Sequence, residues 1–147
     1  MAKTAVKEDI IVVETGFEGS NAEQIQEIRY SVFCREQNVD PGLEQDGLDP
    51  DACHAIAYDG DTCIGTGRIL ADGHIGRVAV LKSYRGRGVG RMIVNNLVIQ
   101  AVQQKMTRVY LGAQIHAVSF YESLGFTCYG SEYEEAGIQH IHMEKLI

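Results

Sequence analysis

The stretch Tyr84–Val94, YRGRGVGRMIV, decides how the chain is read. It crowds three glycines and three arginines between an apolar run, Ile75–Val80 (IGRVAV), and a helical pattern. A helix N-terminus carries unpaired N–H groups and a partial positive charge, so it attracts anions. Gly86, Gly88 and Gly90 remove side chains that would keep a ligand from those groups. Arg85, Arg87 and Arg91 can add charge-assisted bonds, stronger than neutral ones. Together these residues describe a phosphate or pyrophosphate cradle; they also suit a glycine-rich turn with solvated arginines. The stretch lacks the GK[ST] ending of a Walker loop, and its GxGxG spacing is tighter than a dinucleotide fingerprint.

Working outward, Gly90–Gln104 reads as a helix through Ile93, Val94, Leu97, Val98 and Ala101. Arg108–Ala113 reads as a strand, His116–Phe126 as a helix with Gly125 as its αL stop, and Ile138–Ile147 as a closing strand. Upstream, Ile10–Glu14 is a short strand. Asn21–Gln37 has helical spacing, with Ile25, Ile28, Val32 and Phe33 on one side and Asn21 or Ser20 as N-cap. Val39–Asp51 holds both prolines and five carboxylates, and reads as an acidic, mostly solvated loop. His54–Asp59, Thr62–Leu70 and His74–Val80 then form an antiparallel meander. The segment His74–Val80, helix, Arg108–Gly112 predicts a parallel βαβ unit within one central sheet. The class is α/β (α+β), a mixed and mostly antiparallel sheet flanked by helices.

With 147 residues, 45% of them hydrophobic, the chain suits a single domain spanning residues 1–147. A net charge of −7 argues against nucleic acid as partner, because phosphate backbones select basic surfaces. No segment approaches the ~18 consecutive apolar residues of a membrane span. The N-terminus has no apolar signal-peptide core, so a cytoplasmic location is expected. Cys34, Cys53, Cys63 and Cys128 are scattered without a CxxC pair, which predicts reduced, buried thiols. With no HxxxH helix and no Cys/His cluster, no metal is expected.

At this point the sequence resembles the GCN5-related N-acetyltransferases (GNAT). RVAVLKSYRGRGVGRMIV is similar to the family's acetyl-coenzyme A signature, whose Arg/Gln-x-x-Gly-x-Gly/Ala pattern Arg85, Gly88 and Gly90 satisfy. AVSFYESLGF resembles its second segment. RYSVFCREQNV and the C-terminal AGI.HI.M resemble the ElaA-like branch. The resemblance implies the acyl-CoA N-acyltransferase fold and acetyl-CoA as co-substrate. It implies that Arg85, Gly86, Arg87, Gly88, Val89 and Gly90 bind the pyrophosphate, with Arg91 nearby. Val78, Ala79 and Val80 would line the pantetheine arm, and the Val80 N–H would bond the thioester oxygen as charge develops there. Tyr121 would protonate the leaving thiolate, although a Tyr beside Phe120, Leu124 and Phe126 can also be simply packed. Gln114 stands where the family often has Asn contacting the pantetheine arm.

The proton acceptor stays open. Many family members carry a glutamate on the strand before the phosphate loop, where this chain has Arg77 and no carboxylate. The candidates are Glu36, Glu44, Asp46, His54, His116, His140 and His142. His140 and His142 share one strand face and could relay a proton, or sit on an exposed face. Glu36 and Asp46 could instead attract a substrate ammonium. The expected function is direct acetyl transfer to the amine of a small cationic molecule, without nucleic acid or membrane; a homodimer is compatible with it. The rival is a non-catalytic acyl-CoA binding module, which would need no base.

Overall fold

Two consecutive hairpins span Cys53–Val80, and a largely helical segment precedes them. The computed structural model describes residues 10–147; the N-terminal stretch behind the cytoplasmic expectation lies almost wholly outside them. Strands β1 (Ile10–Thr15), β2 (Cys53–Asp59), β3 (Thr62–Ile69) and β4 (Ile75–Val80) pair in that order, each antiparallel to the next. Helix α1 (Gly19–Arg29) runs into a π-helical turn, Tyr30–Glu36, and a short α2 (Pro41–Glu44) follows. Helix α3 (Val89–Gln103) leads to β5 (Arg108–Gln114), then α4 (Val118–Ser123), β6 (Thr127–Glu135) and β7 (Ile138–Leu146).

Helix α3 packs onto β3 because two strand residues lack a side chain. A Cβ at Gly65 or Gly67 would come within 2.9 or 2.8 Å of Ile93, so the helix rides on bare backbone. Ile93, Val94, Leu97 and Ala101 are fully buried there, with Ala55, Ala57 and Val109. Side chains alternate along a strand, so Thr66 and Arg68 point to the other face, where α1 lies.

That second face is ionic at its centre. Arg29 is 0% exposed. It donates from Nε and Nη2 to Glu44 (2.8 and 2.5 Å) and from Nη1 to Asp49 (2.6 Å). Arg68 adds bonds to Asp49 (2.9 Å) and Asp46, and Arg77 bonds the Glu44 carbonyl (3.1 Å) and Asp46 (3.2 Å). The acidic segment is mostly exposed, as expected, but its ionic centre is not. Glu44 and Asp49 are each 3% exposed, because three arginines from α1, β3 and β4 neutralise it.

Three further expectations change. The N-cap of α1 is Glu18, and Asn21 instead donates to the Thr15 hydroxyl at 2.7 Å. The cysteines are free, as expected, but Cys34, Cys53 and Cys63 are only half-buried and Cys128 is exposed. The single central sheet is two sheets, β1-β2-β3-β4 and β5-β7-β6. The segment β4–α3–β5 keeps its parallel sense, but its strands meet at one bridge, His74 to Tyr110. No helix among the described residues is long and apolar enough to cross a membrane.

Replacing Arg29 by Met would strand two buried carboxylates, and should cost about 3–5 kcal/mol in urea unfolding. Asp46 is held below the ordinary carboxylate range, chiefly by its bond to Arg68. Burial pushes Asp49 up, but Arg29 and Arg68 outweigh it and the net shift is downward. A carboxyl depressed in the fold stabilises above its unfolded value of about 3.9 and loses that contribution as pH falls through its folded value. Stability should thus fall below about pH 4. Asp46→Asn should flatten part of that acid limb in a pH series of melting curves; an unchanged limb would contradict the assignment.

Candidate active site

A bulge in β4 opens the site. Thr66 faces Ala79 and Arg68 faces Gly76, so Gly67 alone opposes both Arg77 and Val78. The extra residue is accommodated with Arg77 at φ +52°, and a bulge bends its strand. On the far side of β4, Tyr110 N–H donates to the Gly73 carbonyl at 3.0 Å and its ring stacks on His74 at 4.7 Å. The Tyr110 hydroxyl also donates to Asp72. Beyond this point β4 and β5 separate, and a cleft of about 660 Å³ lies between the two sheets.

Val78, Ala79, Val80, Arg85, Gln114 and Tyr121 all line this cleft. Leu81 N–H donates to the Ile64 carbonyl at 2.9 Å. In an antiparallel ladder such pairs alternate with residues whose N–H and C=O point outward. Val80, one residue earlier, therefore directs both groups away from β3. Its carbonyl accepts Arg85 Nε at 3.0 Å, and its N–H faces the opening. Tyr121 packs edge-on to Phe120 (4.9 Å) and Phe126 (5.8 Å). A merely packed tyrosine would bond its hydroxyl to a neighbour, yet this hydroxyl has no protein partner among the described residues. Burial pushes its phenol up to about 12, so it stays protonated across the neutral range.

Gly86, Arg87, Gly88, Val89, Gly90 and Arg91 form the entry to α3. Gly88 is the N-cap, in the left-handed region at φ +81°, and no side chain caps the helix. The first helical bond there is Met92 N–H to the Gly88 carbonyl, which leaves the N–H groups of the first turn free of intrahelical partners. A Cβ on Gly86 or Gly88 would meet nothing within 4 Å, so side chains there would fill the open space over the helix end. The arginines are less available. Arg85 forms a two-pronged pair with Glu36 (2.8 and 2.9 Å). Arg87 lies over the Tyr84 ring at 5.1 Å, and Arg91 donates to the Ser123 hydroxyl at 3.2 Å. The Val89 side chain is core, 1% exposed.

The proton-acceptor candidates now separate. Glu36 holds Arg85, and Glu44 and Asp46 are taken by the arginine network, so none of the three awaits a substrate ammonium. His54 is buried away from the cleft against Phe17, donating from Nε2 to the Asp49 carbonyl at 2.9 Å. Burial lowers its basicity and keeps it neutral, with Nδ1 lacking a partner. His116, His140 and His142 line the cleft.

Sequence reading missed several residues that shape the site. The π-helical turn presents Val32 and Phe33 to the cleft, and Gln37 beyond it accepts a bond from Gln114 at 2.9 Å. Helical spacing puts Val32 and Phe33 on one side with Ile28, and they do pack together, but it gives no sign of the π turn or of the cleft it faces. Tyr133 stacks on His142 (4.4 Å) and His140 (5.6 Å), and its hydroxyl lies where a Gly112 side chain would be. The signal for that contact was a glycine inside a strand pattern.

Comparison with known proteins agrees with this architecture. An acetyltransferase (GNAT) domain model matches residues 17–147, and the chain belongs to the GNAT acetyltransferase family. Within it, the chain falls with the ElaA-like branch. It is 34% identical to the protein ElaA of Escherichia coli over 127 residues, 81% of this chain and 83% of ElaA. The ElaA crystal structure superposes with a TM-score of 0.82, covering 92% of this chain and 99% of ElaA. The uncharacterized N-acetyltransferase YjcF of Bacillus subtilis is 37% identical over 132 residues, 85% of this chain and 94% of YjcF. An acyl-CoA N-acyltransferase from Pseudomonas aeruginosa is 28% identical with a TM-score of 0.83, covering 93% and 99% of the two chains.

Gly112→Ala should drive its methyl into the Tyr133 hydroxyl, costing about 1–3 kcal/mol. Tyr133→Phe removes that oxygen, so the double variant should recover most of the loss in a thermal-melting cycle. Simple additivity of the two changes would mean that the ring swings aside freely.

Proposed function

We propose that the chain is an acetyl-CoA-dependent N-acetyltransferase, one domain that moves the acetyl group directly to a small-molecule amine. The observation that carries this reading is the opening beside β4. There the outward Val80 N–H and the unpartnered Tyr121 hydroxyl line one cleft, next to the uncapped end of α3. The residues at that helix end fit a pyrophosphate, because Gly86 and Gly88 leave the space open and no side chain competes for the first-turn N–H groups. The names of the relatives, acyl-CoA N-acyltransferase and N-acetyltransferase, support the same co-substrate and reaction.

In this reading the pantetheine arm runs along Val78–Val80, and the Val80 N–H donates to the thioester oxygen. A fixed donor gains strength as negative charge develops there, so it favours the transition state over the ground state. The Tyr121 hydroxyl donates to the departing sulfur. A phenol at about 12 is a weak acid, but burial acts on a thiol in the same direction. It pushes the Cys63 thiol up to about 11. A leaving thiolate held in the cleft beside the Tyr121 phenol would shift in the same direction, so the two stay closer in basicity than the shift of the phenol alone implies. No cysteine lines the cleft, which suits direct transfer rather than an acyl-enzyme. The acidic loop, neutralised by Arg29, Arg68 and Arg77, gives no separate reason for a cationic acceptor; the amine itself supplies that charge.

Calorimetry should show acetyl-CoA binding in preference to ATP and NAD, with a stabilisation of roughly 2.7 kcal/mol at 100 times its dissociation constant. Gly88→Glu places a like charge at the anion site and should weaken that binding about 100-fold or more. Tyr121→Phe should bind normally but release thiol about 100-fold more slowly with any active amine. Unaltered coenzyme affinity in Gly88→Glu would remove the cradle from the reading. Binding without thiol release across an amine screen would favour the non-catalytic module.

A further inference from the structure

The cleft holds one imidazole whose proton is positioned by the fold. His140 lies opposite Gln114 on β5 and opposite Tyr133 on β6, and side chains directly across a ladder share a face. It is 7% exposed and lines the cleft. Its Nδ1 lies 2.7 Å from the Ile138 carbonyl. A carbonyl oxygen can only accept, so Nδ1 carries the hydrogen, and in the neutral ring Nε2 is then a lone pair. Glu135 Oε2 lies 4.0 Å from that Nε2, beyond a hydrogen bond. Glu135 is itself 67% exposed at its side chain, and so opens a path to water.

The neighbouring histidines are less well placed. Both faces of His142 are covered, by Tyr129 at 5.3 Å and Tyr133 at 4.4 Å. His116 sits exposed on the turn after β5. The other titratable and charged groups that line the cleft are Glu135 and Tyr133 of β6, His142 of β7, Tyr110, His116 and Tyr121, together with Glu44, Arg68, His74, Arg77 and Arg85.

We propose that His140 Nε2 is the proton acceptor that converts the bound ammonium into the attacking amine, an assignment that rests on the acetyltransferase reading above. One ammonium proton passes to Nε2, and the freed nitrogen lone pair forms the C–N bond to the thioester carbonyl carbon. The C–S bond then breaks with its electron pair going to sulfur. Sulfur takes the Tyr121 proton, and the second N–H proton of the former ammonium restores Tyr121. The His140 proton leaves past Glu135 to water, so amine cation and thioester become amide, thiol and one released proton.

The test uses His140→Asn, whose side-chain amide can still donate to the Ile138 carbonyl but offers no Nε2. Two acceptor probes are compared at pH 7: ethanolamine, an ammonium that must lose a proton, and hydroxylamine, which is already uncharged. The variant should bind acetyl-CoA as the wild type does. Its kcat/KM for ethanolamine should fall by about 10²–10⁴-fold, while that for hydroxylamine changes by less than about 10-fold. Equal losses with both probes, or none with ethanolamine, would overturn the assignment. In parallel, nitrogen NMR of the wild-type imidazoles should show the His140 proton on Nδ1; a proton on Nε2 overturns the proposal even if the variant misfolds. Wild-type protein that binds the coenzyme but acetylates neither probe would count against the acetyltransferase reading, and the tautomer would still decide His140.

Discussion

Arg29 is the constraint on which the rest of the molecule leans. A guanidinium with no solvent access must be fully paired, since an unpaired buried charge costs several kcal/mol. Its partners, Glu44 and Asp49, come from a segment with little regular structure of its own. Satisfying one cation on α1 therefore draws that segment down over β3 and β4. There Arg68 and Arg77 complete the charge balance. Replacing such a network by apolar residues is often neutral for stability, so its value here lies in position: it holds Glu44 and Arg77 at the cleft wall.

The same cleft depends on a failure of sheet pairing. Had β4 continued its ladder with β5, the outward Val80 N–H would bond a strand and offer nothing to a substrate. The bulge at Arg77–Val78 bends β4 away, and the freed backbone groups are the edge on which the acetyltransferase reading relies. On the opposite wall, Gly112 gives up its side chain so that the Tyr133 ring can lie flat between β5 and the two imidazoles. Both walls are thus built by removing something regular, a ladder on one side and a side chain on the other.

Much of this was legible in the residues. The apolar positions of α3, the hairpins of β2, β3 and β4, the Gly125 stop and the glycine-arginine junction all follow from local spacing and backbone preference, and the resemblance they carry led to the correct family. What stayed hidden was set by partners distant in sequence. The acidic segment is largely exposed as it reads, but the burial of Glu44 and Asp49 is invisible until Arg29, Arg68 and Arg77 are brought to them by the fold. The two-sheet division depends on one bulge residue, Arg77, whose type gives no warning of a positive φ. Asn21 is a good N-cap by type, but the chain reaches helical geometry earlier, at Gly19, and Asn21 bonds Thr15 instead. Glu36 ends a π-helical turn and Gln37 follows it, so the usual periodicity gives no direction for these two side chains. The proton acceptor was open for a related reason: the carboxylate sought on β4 is absent, and the geometry that singles out His140 is a bond to its own backbone.

The single bridge between His74 and Tyr110 also has a mechanical meaning. The strands of the two sheets bond to each other at one point above a shared core, like tongs with the joint at Asp72–His74 and the jaws at Val80 and Gln114. The joint is tightly fitted: Tyr110 is gripped by the Gly73 carbonyl, the His74 ring and Asp72, and a side chain on Gly73 would run into the Arg108 carbonyl. Any change of angle there is magnified along the strands toward the jaws. Near that far end the Gln114 side-chain amide donates a hydrogen bond to that of Gln37. The width of the gap between the jaws is therefore set in part at the joint, several residues from Val80 and Gln114.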